Sequence, residues 1–147
     1  PLHRPNLYLT RDLFLFSCYT GIPYSDMRLL SKEHLSLADD GTWWIRSSRR
    51  KTGVEFEIHL LDLPLHVMEK YRDTAPDGKL LPMYSNSTMN LNLKRIAKLC
   101  DIDCPLVFHA GRHTYATEIT LGHGFRLKRS ARCWDTPGLR RPKFTPK

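Results

Sequence analysis

The chain has 147 residues, 41% hydrophobic and 26% charged, which suits one globular domain with a real core and leaves little room for two. Its formal charge of +8 is unevenly placed: the last 24 residues hold eight Lys/Arg against Asp135, and the other 123 hold 15 basic and 14 acidic side chains. A nearly neutral body excludes reading nucleic-acid binding from the global charge alone.

From the N-terminal end, Thr10 is placed to cap a helix over residues 11–19, with Leu13, Phe14 and Phe16 in a largely apolar, buried segment. Thr20-Gly21 ends it, and Pro23 suits the first turn of a short helix holding Ser25, Asp26 and Met27. Asp39-Asp40-Gly41 reads as a turn. Residues 42–48 and 54–61 alternate and are rich in aromatic and β-branched side chains, so they read as two strands with Arg49-Arg50-Lys51-Thr52-Gly53 as the hairpin tip. Pro64 opens a helix to about Tyr71, and Asp77-Gly78 is another turn. A longer helix from about Asn86 places Met89, Leu93, Ile96, Ala97 and Cys100 on one face. Cys104-Pro105 breaks the chain, and residues 110–121 read as a further helix. After Gly124 apolar periodicity vanishes and Arg, Lys and Pro dominate. The expected fold is α+β, mainly helical with a small antiparallel hairpin, over residues 1–124, followed by a basic, aberrant tail at 125–147.

No apolar run reaches membrane-spanning length, and the start lacks the pattern of a signal peptide. The chain begins at Pro1 and not Met, so it is expected to be a piece of something longer. Cys18, Cys100, Cys104 and Cys133 have no framework spacing, which favours reduced thiols and a cytoplasmic location.

The chemistry concentrates in His109-Ala110-Gly111-Arg112-His113-Thr114-Tyr115-Ala116-Thr117. His109 and Arg112 are three apart, so one helical turn can bring both to a phosphate-sized site. Arginine offers a permanently charged fork for phosphate oxygens, histidine can donate to the same oxygens or move a proton, and a helix start adds open backbone N–H groups. The same residues could instead simply cap a helix or pack in its core.

The pattern H-x-x-R-H-T-F/Y-A-T resembles the central motif of tyrosine recombinases, particularly mobile-element integrases of Bacteroidetes-like bacteria. Three further stretches fall in the family's order: residues 11–21 resemble its opening helix and turn, Lys51-Thr52-Gly53 sits at its hairpin tip, and Lys79-Leu80-Leu81-Pro82 precedes the helix leading to the histidine motif. The resemblance covers about residues 7–124 and implies a tyrosine-recombinase catalytic domain, incomplete at its C-terminus. It implies strand cleavage and rejoining through a phosphotyrosyl link, without metal or other cofactor. Double-stranded DNA is the implied partner, no membrane is involved, and full-length relatives form homo-oligomers on DNA. By resemblance, Arg112 is the second catalytic arginine, His109 its companion donor, and Lys51 the lysine that protonates the leaving 5′ oxygen. His113 supports the helix, and Asp26 braces the site.

The sequence departs from the family pattern in three places. Where the family has T-G-L/I/M-R-x-x-E/D, the run Thr20-Gly21-Ile22-Pro23-Tyr24-Ser25-Asp26 puts Pro23 in the arginine's place, and Arg28 is a weak substitute. Leu121-Gly122-His123 looks like the family's later L-G-H but stands too close to Arg112; Leu121 with Gly124 fits its Leu-x-x-Gly helix end instead. No tyrosine follows Tyr115, whose expected job is packing, so the nucleophile is missing and the chain is expected to be inactive as written.

The tail reads as the family's ending in a shifted frame. Taking the last base of each codon with the first two of the next, Cys133–Trp134 must encode Leu, Trp134–Asp135 Gly, and Asp135–Thr136 His or Tyr. Farther on, Lys143–Phe144 must encode Ile or Val, and Phe144–Thr145 Tyr or His. A tail of this origin is expected to be disordered. Two other readings stand beside this one. A non-catalytic DNA-binding protein would grip phosphates through the basic tail. A metal site at Cys100, Cys104, His109 and His113 has a Cys-to-His gap far shorter than a zinc finger's.

Overall fold

Helix α1 (Pro5–Thr20) organises the molecule. Pro5 stands at its first position, where a missing N–H costs no helical hydrogen bond. Leu7, Thr10, Leu13, Phe16, Ser17, Cys18 and Thr20 are all buried, and Leu9 and Phe14 are half-buried. A helix covered on so many sides lies inside the fold and carries no simple apolar stripe. The computed structural model describes residues 5–119. The expected features at Leu121–Gly124 and the tail at 125–147 lie outside the described residues.

Thr10 is not the cap expected from the sequence. It sits within α1, where its hydroxyl donates to the Asn6 carbonyl at 2.8 Å and accepts from Asn92 Nδ2 at 3.0 Å. A threonine bonded to the carbonyl four residues back satisfies its own hydroxyl without ending the helix.

Gly21, at φ +68°, ends α1, and Pro23 then caps the short helix α2 (Tyr24–Met27). Three antiparallel strands follow, β1 (Leu35–Leu37), β2 (Trp43–Ser48) and β3 (Glu55–His59), in that order across the sheet. β2 and β3 are the expected hairpin, with Ile45 opposite Ile58 and Ser47 opposite Phe56. Ile45, Phe56 and Ile58 are buried, so this face of the sheet meets the core. β1 is an addition to the sequence reading.

Helix α3 (Asp62–Lys70) starts two residues before Pro64, which still lies in the first turn. Helix α4 (Asn86–Leu99) starts at Asn86 as expected, with Ser85 Oγ accepting from the Thr88 N–H at 3.2 Å. Met89, Leu93, Ile96 and Ala97 are buried on its inner face, but Cys100, one turn on at the helix cap, is exposed. The last described segment is α5 (Ala110–Thr114), continued by a π-helical turn (Tyr115–Ile119). Among the described residues no helix is long and apolar enough to cross a membrane, and Cys18, Cys100 and Cys104 are unpaired thiols.

Candidate functional site

Phe108 fixes where the histidine motif begins. Its ring is buried, edge-on to Phe14 at 6.2 Å and to Tyr24 at 5.9 Å. Its N–H donates to Asn90 Oδ1 of α4 at 2.8 Å. With ring and backbone both held, the next residues have little choice of direction. Gly111 then crosses α1 at close range: a Cβ built on it would lie 2.9 Å from Ser17 Oγ and 3.3 Å from the Cys18 nitrogen. Only glycine permits that approach. The same crossing buries Cys18, whose thiol is pushed up to about 11 by burial despite a hydrogen bond with Thr114.

The crossing aims Arg112, buried at 7% exposure, toward the turn that ends α1. Gly21, Pro23, Asp26, Arg49, Arg112 and Tyr115 line one narrow crevice there, with about 10 Å³ of free volume. The Tyr115 ring closes over Gly21, where an added Cβ would lie 2.4 Å from Tyr115 Cδ1. Asp26, buried in α2, accepts the Arg50 N–H at 3.3 Å and the Ser25 hydroxyl at 3.4 Å. Its carboxylate therefore ties the hairpin tip to the end of α1.

Of the residues singled out from the sequence, the structure brings Asp26 and Arg112 into this crevice. His109 is exposed at the start of α5, and its ring meets His113 edge-on at 5.0 Å. Partial desolvation of its ring, then the charges of His113 and Arg112, hold the His109 pKa below the usual histidine value. That shift favours the neutral ring, which keeps one N–H to donate. His113 is also exposed. Lys51 stands exposed at the hairpin tip, outside the crevice lining, as does Arg28 at the end of α2.

The open backbone N–H groups expected at the start of α5 are not open. Those of Ala110, Gly111 and Arg112 donate to the carbonyls of Val107, Phe108 and His109 at 2.9, 3.2 and 3.2 Å. The tight turn after Phe108 consumes them. The four candidate metal ligands Cys100, Cys104, His109 and His113 are not gathered either: among the described residues no group of three or more His, Cys, Asp or Glu could hold a metal ion.

No protein-family model and no curated protein matches the chain. Solved structures do. A XerH site-specific recombinase bound to difH substrate, a pre-cleavage complex, superposes with a TM-score of 0.64 at 13% identity, covering 88% of this chain and 40% of that one. The post-cleavage complex of XerH with a palindromic difH substrate gives 0.68 at 14% identity, covering 90% and 41%. The chain has the tyrosine-recombinase fold. It spans about two fifths of the length of the XerH chains.

In this tyrosine-recombinase fold the crevice joins segments near residues 21, 49 and 112, far apart in sequence. Motif matching missed Arg49. Strand alternation could have found it, since Arg49 has the parity of Ile45 and Ser47 and so continues the inward face of β2.

Proposed function

We propose that this chain is the catalytic-domain portion of a tyrosine recombinase of the mobile-element integrase type. Its Arg112 crevice binds a backbone phosphate of duplex DNA. The supporting observation is Arg112 itself: a buried guanidinium, delivered by the motif helix to the turn after α1, beside Asp26. The XerH chains that share the fold are bound to DNA substrates. A buried arginine lining a crevice is suited to stabilising the charge on a phosphate in transfer.

In the proposed reaction a tyrosine oxygen attacks the scissile phosphorus, forming a phosphotyrosyl bond as the bond to the 5′ oxygen breaks. Arg112 neutralises the non-bridging oxygens, and His109 donates its N–H to one of them. Lys51 reaches in from the hairpin tip to protonate the leaving 5′ oxygen. Asp26 holds the tip through the Arg50 N–H, and His113 supports His109 through their ring contact. The chain has no tyrosine after Tyr115, and Tyr115 lies on Gly21 in a packing role. As written the chain is therefore incomplete for cleavage, and reading residues 125–147 in the alternative frame gives Tyr or His at the Phe144–Thr145 junction, where the missing tyrosine would stand.

A pool of nicked suicide duplexes that traps covalent protein–DNA adducts tests this. The chain as written forms none, and a version with the tail restored to the other frame does. No adduct with the restored tail would overturn the catalytic reading and leave a DNA-binding protein whose basic tail grips phosphates. An adduct with the chain as written would make one of its present tyrosines the nucleophile.

A further inference from the structure

We infer that Arg49, from the inward face of β2 and β3's hairpin, is a second phosphate-binding guanidinium of this site. The inference rests on the reading of Arg112 as a phosphate ligand. Arg49 lines the same crevice as Arg112, together with Gly21, Pro23 and Asp26. Its backbone is fixed: its N–H donates to the Val54 carbonyl at 2.9 Å, and its own carbonyl accepts from Gly53 at 2.8 Å. These bonds close the hairpin tip, where Gly53 adopts φ +67°. Strand parity then directs the side chain inward with Ile45 and Ser47, and its guanidinium carbon lies 6.0 Å from the centre of the Phe56 ring. Asp26 holds the next residue through the Arg50 N–H at 3.3 Å.

Two guanidiniums, supplied by different elements, thus line one crevice among the described residues. Like charges held close together in a partly desolvated place favour an anion between or above them. The crevice, at about 10 Å³, is far too small to enclose a phosphate, so the proposed anion binds at its mouth. Pro23 lines the same crevice and offers no donor from its side chain or backbone nitrogen. Arg28 and Lys51 lie outside the lining, and among the described residues Arg49 is the cation that lines it beside Arg112.

The test is an NMR titration of the full chain with inorganic phosphate, following arginine Nε–Hε signals assigned from through-bond spectra of the wild-type chain. Both Arg49 and Arg112 signals should move with one midpoint. Arg49→Gln should raise that midpoint about tenfold, Arg49→Lys should recover part of it, and Arg28→Gln should leave it unchanged. Adding Pro23→Arg to Arg49→Gln should restore binding, a rescue that a merely structural arginine would not show. Movement of Arg112 without Arg49 overturns the inference and leaves the Arg112 site standing. Movement of neither overturns both. The wild-type titration decides these outcomes even where a variant fails to fold.

Discussion

At Gly21 two demands coincide on one residue. The backbone stands at φ +68°, where a side chain is strained, and the Tyr115 ring occupies the space a Cβ would need. Gly21→Ala should therefore cost about 2–4 kcal/mol, combining the left-handed penalty with overpacking. It should also push Tyr115, and with it Arg112, out of place. Chemical denaturation reads the first effect and the phosphate titration the second; unchanged phosphate binding would mean that Tyr115 does not set the position of Arg112. Gly111 makes the same kind of demand one helix crossing away, against Ser17. These glycines are visible in the sequence as a turn and as part of the motif, but their partners are not. What each glycine makes room for is a long-range contact, and no local pattern encodes it.

Among the elements, α1 is anchored to α3 by a charged knot. Asp12, buried, accepts from Lys70 Nζ at 2.6 Å, from Tyr71 Oη at 2.8 Å and from Arg11 Nε at 2.8 Å. Burial alone would raise its pKa, but the hydrogen bonds from Lys70, Arg11 and Tyr71 outweigh it and hold the carboxyl below its usual value. A carboxylate depressed in the folded state stabilises the protein fully above its ordinary range. That contribution is lost as pH falls through the lower folded value. Asp12→Asn should cost about 1–3 kcal/mol at pH 7 and flatten the acid limb of the stability profile, because it removes charge-assisted hydrogen bonds. An unchanged acid limb would show that the knot contributes nothing to the pH dependence. The hairpin and α4 are legible from sequence because alternation, turn residues and helical spacing are local signals. β1 is not legible, since three residues become a strand only by pairing with β2. The start of α1 is also obscured: a threonine at Thr10 looks like a cap unless its bond to Asn6 is known.

For the molecule as a whole, the main concentration of basic residues and the described crevice fall in different segments of the sequence. Eight of the 23 basic side chains lie in the last 24 residues, whereas among the described residues the crevice draws its cations from Arg49 and Arg112. Removing residues 125–147 should therefore leave duplex binding detectable at low salt while making its salt dependence shallower, each lost phosphate contact lowering the log–log slope by about 0.9. Gel-shift titrations at several salt concentrations measure both; complete loss of binding would place the DNA contact in the tail.

The Phe108 anchor has a consequence for how the site comes into being. Its ring needs Phe14 and Tyr24, and its N–H needs Asn90. A chain emerging from the ribosome can form α1 and the hairpin early, from neighbouring residues. It cannot place Arg112 until the segment carrying Phe108 has returned to α1 across some ninety residues, a closure that comes late because its entropy is lost before its contacts form. The Arg112 crevice is thus expected among the last parts of the fold to assemble, and nascent chains that stop short of Phe108 carry Arg49 without Arg112.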